Sequence, residues 1–118
     1  MKYMLLLYGN TSQPPNYTPE EARAAMQGWF DLVAEMKAAQ VYLSNDGLSP
    51  VTDATTVRVR NGETMTTDGP FAETPEQLGG YFLLDCKNLD EAVGWAAKIP
   101  YAMFGSVEIR PVITYTEG

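Results

Sequence analysis

Histidine is missing altogether from the chain, which removes the side chain that most often serves as base, proton shuttle or transition-metal ligand near neutral pH. Cysteine occurs once, at Cys86, so no internal disulfide can form, and its apolar neighbours mark it as a small buried hydrophobe. Transition metals favour imidazole or thiolate, and a site built from carboxylates alone would be hard and magnesium-like. No metal or other cofactor is expected. Basic residues are also scarce, with eight Lys and Arg against fifteen Asp and Glu and a net charge of −7. A phosphate-binding groove draws its affinity from clustered cations, so neither nucleic acid nor an anionic membrane surface is an expected partner. The N-terminal apolar run from Tyr3 to Tyr8 is too short to cross a bilayer or to form a signal-peptide core, and a cytoplasmic location is the default expectation. No EF-hand loop, phosphate loop, dinucleotide fingerprint or nucleophile elbow is present, and Gly79-Gly80 is too little to suggest one.

What is present is ordinary globular material. The 118 residues, 45% apolar and 19% charged, suit one domain spanning positions 1–118, because domains commonly hold about 100 to 150 residues. Lys2 to Tyr8 is apolar on both faces and ends at Gly9-Asn10, the pattern of a doubly buried strand. The stretch Thr11 to Tyr17, with Pro14 and Pro15, reads as a loop. Thr18-Pro19-Glu20-Glu21 is a helix start with a capping box, and Ala22, Met26, Trp29, Val33 and Met36 form an apolar stripe, with Phe30 alongside, to about Ala39. Gly28 inside that helix predicts close packing, since it costs about 1 kcal/mol relative to Ala. Val41 to Leu43 reads as a short strand closed by the turn residues Ser44-Asn45-Asp46-Gly47.

Thr55–Arg60 and Glu63–Thr67 flank Asn61-Gly62, the dipeptide that supplies the positive φ angles of a two-residue type I′ hairpin, and this register sets Arg60 opposite Glu63. Tyr81 to Cys86 is another strand apolar on most of both faces. Asn88 caps a helix with Glu91 in the capping-box position, Leu89, Ala92, Val93 and Ala96 are its expected buried stripe, and Ile99-Pro100 ends it. Ser106 to Val112 alternates, with Val107 and Ile109 on one face, Glu108 and Arg110 on the other, and Pro111 suited to an edge.

The order β-α-β, inserted hairpin, β-α-β is the split βαβ arrangement of the ferredoxin-like α+β plait, which places the two most apolar strands at the centre. Two helices cover only one sheet face, yet Tyr3, Leu5 and Leu7 alternate with the equally apolar Met4, Leu6 and Tyr8. Each large apolar side chain left in water forfeits about 1.5 to 3 kcal/mol. A second copy, giving a homodimer, is the simplest cover, and the inserted hairpin folding over that face is the alternative.

The stretch Asp68-Gly69-Pro70-Phe71-Ala72-Glu73-Thr74, followed by Glu76-Gln77-Leu78-Gly79-Gly80-Tyr81, resembles the signature of the DGPF group within the YCII-related family. The likeness continues through Asp85–Ala92, Trp95-Ala96, Ile99-Pro100 and Gly105–Val112, and includes Lys2–Leu6 and Asp46-Gly47-Leu48. It implies a ferredoxin-like domain that forms dimers of the dimeric α/β barrel type. It implies little about activity. Members often occur beside sigma factors of the extracytoplasmic-function type, and the wider family is suspected of enzymatic activity through a His-Asp pair. That pair does not carry over to a chain without histidine, and Pro75 stands where the group commonly has Lys, removing an anion-binding charge beside the loop.

Asp68 in the Asp68-Gly69-Pro70-Phe71 bend is the candidate acid-base group, although an Asp that only satisfies loop amides looks the same in sequence. Gly69, Pro70, Phe71 and Glu73 of the loop, together with Arg60, Tyr81 and Arg110, are the candidate ligand-binding residues. Glu108 and Arg110 also suit a solvated or dimer-crossing salt pair. Trp29, Phe30, Trp95, Tyr101 and Phe104 either line an apolar pocket or pack in the core, the usual place for Trp29 and Phe30 at helical spacing. The expected function is a dimeric small-molecule-binding domain, with acid-base chemistry on a small metabolite as its enzymatic form. The alternative is a noncatalytic protein-interaction module linked to sigma-factor regulation.

Overall fold

A computed structural model of the chain describes residues 1–10 and 16–115. The expected loop with Pro14 and Pro15 falls largely outside the described residues. The elements run β1 (Lys2–Gly9), α1 (Pro19–Ala38), β2 (Tyr42–Gly47), a 3₁₀ turn (Val51–Asp53), β3 (Thr55–Arg60), β4 (Glu63–Asp68), β5 (Gln77–Asp85), α2 (Leu89–Ala96), α3 (Tyr101–Phe104) and β6 (Ser106–Pro111). Four strands form an antiparallel sheet in the order β2-β5-β1-β6, and β3 and β4 form a separate ribbon. This is the ferredoxin-like α+β plait, with β1 and β5 central and β6, carrying Pro111, at an edge.

Alternation along β1 and β5 sorts the sheet into two faces. Tyr3, Leu5, Leu7, Phe82 and Leu84 are buried and meet Leu32 and Met36 of α1, Ala92 and Ala96 of α2, and Ile99. The Trp29 ring lies 5.0 Å from that of Phe82. On the other face Met4, Leu6, Tyr8, Tyr81 and Leu83 are only half-buried, shielded by one another and by no helix.

The helix caps form as expected. Thr18 Oγ1 accepts from the Glu21 amide at 3.1 Å while the Glu21 carboxylate accepts from the Thr18 amide, and Asn88 Oδ1 accepts from the Glu91 amide at 3.0 Å. At its other end α1 closes in a Schellman motif: the Gln40 amide donates to the Lys37 carbonyl, the Val41 amide to the Met36 carbonyl, each at 3.0 Å. Gln40 takes φ 61°, the left-handed conformation usually given to Gly.

Several expectations are corrected. The α1 stripe is buried only in its C-terminal half, at Leu32 and Met36; Ala22, Met26 and Phe30 are exposed, and before Leu32 Trp29 alone packs against the core, over Phe82. Gly28 lies in this exposed part, and a Cβ there would meet nothing within 4 Å, so no tight packing explains it. In α2 only Ala92 and Ala96 are buried, and Leu89 and Val93 are about half exposed. Ser44–Gly47 is not a turn: it extends β2 along β5 after a bulge at Leu43, an edge strand accepting residues that would weaken a central one. Tyr101–Phe104, past the expected helix end at Pro100, forms a further short helix.

The hairpin forms with Asn61 at φ 51° and Gly62 at φ 78°, and Arg60 pairs with Glu63. It does not fold over the open sheet face: apart from Thr56 its strand residues are exposed throughout, Val57 and Val59 at 59% each. With this arm extended, the radius of gyration is 16.7 Å, against about 13 Å for a compact chain of this length.

Candidate functional site

At one end of the sheet, where β1 and β2 finish and β5 begins, the loop from Gly69 to Glu76 roofs a cleft of about 440 Å³ lined by Asn10, Thr52, Gly69, Pro70, Glu73 and Gln77 among others. The loop is held by its own polar groups. Gly69, at φ 101°, donates its amide to the Ala54 carbonyl at 2.7 Å, and its carbonyl accepts from Thr56 Oγ1 at 2.8 Å. Gln77 Nε2 donates to the carbonyls of Ala72 at 3.0 Å and Thr74 at 3.2 Å, and Thr74 Oγ1 donates to the Glu76 carbonyl at 2.6 Å. Ser106 Oγ, from the start of β6, donates to Glu76 Oε2 at 3.0 Å and ties the loop to the far edge strand. Such bonds contribute about 1 kcal/mol each and fix one loop shape.

A second cleft of about 380 Å³ adjoins the first, bounded by Trp29 of α1, Leu48 and Pro50, Leu78, and Tyr101 and Phe104 of α3. The β1–β5 register sets Leu7 opposite Gly80 and Tyr8 opposite Leu78, so Gly79 is the extra residue of a β-bulge. The bulge makes a flat shelf under Tyr101: a Cβ at position 79 would lie 2.6 Å from the Tyr101 hydroxyl, and one at position 9 would lie 3.1 Å from its ring. A Cβ at position 80 would lie 2.8 Å from the carbonyl oxygen of Asp46. The Gly79-Gly80 pair is thus explained by close approach of a ring and of a strand.

The sequence-predicted residues are only partly brought together. Gly69, Pro70 and Glu73 line the first cleft. Asp68, the last residue of β4, pairs with Thr55 and its side chain is exposed outside the cleft lining. Phe71 is 79% exposed, and its carbonyl accepts from Arg58 Nη2 at 3.4 Å. Arg60 lies at the hairpin tip, five pairs from Asp68 and so about 17 Å along the ribbon, where its Nη1 donates to the Val59 carbonyl at 3.0 Å. Tyr81 and Arg110 share the open sheet face with β1 between them. Tyr81 donates its hydroxyl proton to Asp46 Oδ2 at 2.9 Å, and Arg110 pairs with Glu108 at 3.2 Å. Of the aromatic candidates, Trp29, Tyr101 and Phe104 line the second cleft, while Phe30 is exposed and Trp95 packs against the core.

As site residues, sequence reasoning passed over Asn10 and Thr52, whose only signal is that they lie near strand ends next to the loop, and Gln77, whose signal is its place in the family-like stretch. Among the described residues no three His, Cys, Asp or Glu cluster in a metal-holding group, and no helix is long and apolar enough to cross a membrane. Cys86 is buried, and burial, followed by the neighbouring Glu91 carboxylate, pushes its thiol up to about 11.

These features define a ferredoxin-like plait with an open sheet face and paired clefts at one end. The YCII-related domain profile matches residues 1–116, and the chain belongs to the YCII-related family. It is 39% identical over 120 residues to an uncharacterized protein of Rhizobium meliloti (strain 1021), an alignment that takes in 100% of this chain and 97% of that protein.

Proposed function

We propose that this chain is one half of a homodimer that binds a small molecule in the clefts at the loop end of its sheet. The observation that carries the binding part is the first cleft itself. A wall held by Gln77, Thr56 and Ser106 is a preformed concavity with a few fixed polar groups, the usual build of a ligand site.

The dimer part rests on the open face. Met4, Leu6 and Leu83 form an apolar strip with Tyr8 and Tyr81 beside it, and Glu108 and Arg110 carry both signs of charge next to it. A patch holding both signs allows Arg110 of one copy to meet Glu108 of the other across a two-fold axis. Acid-base turnover by Asp68 would need its carboxyl taken out of water. In the single chain Asp68 is exposed, so binding is the part of the reading that the geometry supports, and Glu73 is the carboxylate at the cleft. The exposed arm β3–β4 favours the alternative, protein interaction, because a lone two-stranded ribbon is marginal in water without a cover.

Native mass spectrometry of the purified protein tests the binding reading. The expected result is a small molecule retained by the wild type and lost from Thr52→Trp, whose exposed position lets the indole fill the cleft. Equal retention by the variant would contradict it.

A further inference from the structure

The two clefts are contiguous along three separate segments. Asn10 lines both; Val51 lines the first and its neighbour Pro50 the second; Gln77 lines the first and its neighbour Leu78 the second. Their chemistry differs. Among the described residues the second is walled by Trp29, Tyr101, Phe104, Leu48 and Pro50, with no charged residue in its lining, whereas the first is edged by Thr52, Thr74, Gln77 and one carboxylate, Glu73. Among the described residues neither lining contains Lys or Arg, and the chain as a whole carries −7.

We infer that the two clefts form one bipartite site for an amphipathic ligand, with a flat apolar ring system seated between Trp29 and Tyr101 and a neutral or cationic polar head placed beside Glu73. This inference rests on the reading that the clefts bind a small molecule, and it adds the ligand's class. Aromatic walls on two elements, with Tyr101 packed closely against Gly9 and Gly79, suit a planar group, which gains contact area at both ring faces. An anionic head is disfavoured because it would stand close to the Glu73 carboxylate. An ammonium head gains from the same Glu73, an effect that salt screens because the site is open to solvent.

Three probes sharing one ring separate these effects: 2-(1-naphthyl)ethylamine, 2-(1-naphthyl)ethanol and 1-naphthylacetate, titrated calorimetrically at low ionic strength. The expected order places the amine about tenfold tighter than the carboxylate, with the alcohol between. Glu73→Gln, at an exposed position, brings amine and carboxylate within about threefold and leaves the alcohol unchanged. Ala25→Trp, on the exposed half of α1 at the edge of the second cleft, weakens all three at least tenfold. Ser49→Trp, exposed on the opposite rim, serves if the helix variant fails to fold. Saturable binding that ignores head charge, that survives Glu73→Gln with its order intact, or that is untouched by the rim tryptophans overturns the bipartite site alone. No saturable binding of any probe up to millimolar concentration overturns the bipartite site, while a metabolite still retained by the wild type and lost from Thr52→Trp leaves the binding reading standing.

Discussion

The hydroxyl of Tyr101 stands over Gly79 so closely that a methyl group on that glycine would meet it at 2.6 Å. The atom displaced is the far end of a side chain at a cleft, so Gly79→Ala is expected to swing the ring away at a cost of about 1 kcal/mol, with loss of the cleft's shape. Gly105 is the contrast, because a Cβ there would run into the backbone carbonyl of Tyr8. Gly105→Ala must move β1 or the start of β6 and is expected to cost about 3 kcal/mol. Urea unfolding of both variants checks the difference. Equal losses would mean that the backbone gives as easily as the ring.

The Schellman end of α1 carries Gln40 at φ 61°, a conformation that costs an L-residue about 1 to 2 kcal/mol, while Gly has its own entropic penalty of about 0.5 to 1. The exposed Gln40 side chain makes no packing contribution that offsets this. Gln40→Gly is therefore expected to stabilise the chain by about 0.5 to 1 kcal/mol and raise its midpoint by roughly 4 °C. An unchanged or lower midpoint in a thermal melt would contradict the strain argument.

Burial holds the Cys86 thiol protonated, up to about 11. At pH 8 only about one molecule in a thousand presents a thiolate, so labelling by a disulfide reagent should be slow, rise about tenfold per pH unit and become fast on unfolding. The sign for stability follows from the raised value. Protonated Cys86 is favoured in the folded chain, so this contribution is full below the unfolded thiol's pKa near 9 and is lost as pH rises toward 11. The stability gap between wild type and Cys86→Ala should narrow over that window. A gap that stays constant would place the thiol in contact with water.

Much of the plait was legible because the signals for it are local. Asn61-Gly62 admits little besides a type I′ turn, Thr18 and Glu21 cap a helix wherever it packs, and β1 and β5 are apolar on both faces because they lie centrally. The exposure of the N-terminal part of α1 was not legible, since Met26 and Phe30 carry the same helical period as Trp29 and Met36, and only the tertiary packing decides which are covered. Ser44–Gly47 has turn composition but is captured by an edge pairing with β5, a tertiary contact that propensity does not see. Of the site, the Gly69–Glu73 bend stood out through its turn chemistry, and Gln77 lies in the same family-like stretch, whereas Asn10 and Thr52 reach the cleft from distant parts of the chain and leave no sequence pattern. Asp68 stands out by its place in the Asp68-Gly69-Pro70-Phe71 bend, but as the last residue of β4 it is exposed and outside the cleft lining.

The pairing of Arg110 with Glu108 bears on assembly. An exposed pair of this kind contributes under about 1 kcal/mol in a single chain. Glu108→Arg, which replaces the carboxylate partner of Arg110 by a second cation beside the apolar strip, should weaken self-association at least tenfold while changing unfolding of the separated chain little. An unchanged dissociation constant would remove these charges from the interface.

The measurement closest to the central claim is sedimentation equilibrium at about 10 μM, for wild type and for Leu6→Glu, which puts a carboxylate in the middle of the open face of β1. The account predicts a wild-type mass twice the 13.0 kDa of one chain and a variant that is folded by circular dichroism but sediments as one chain. A wild type that sediments as one chain, or a Leu6→Glu variant that stays paired, would contradict it.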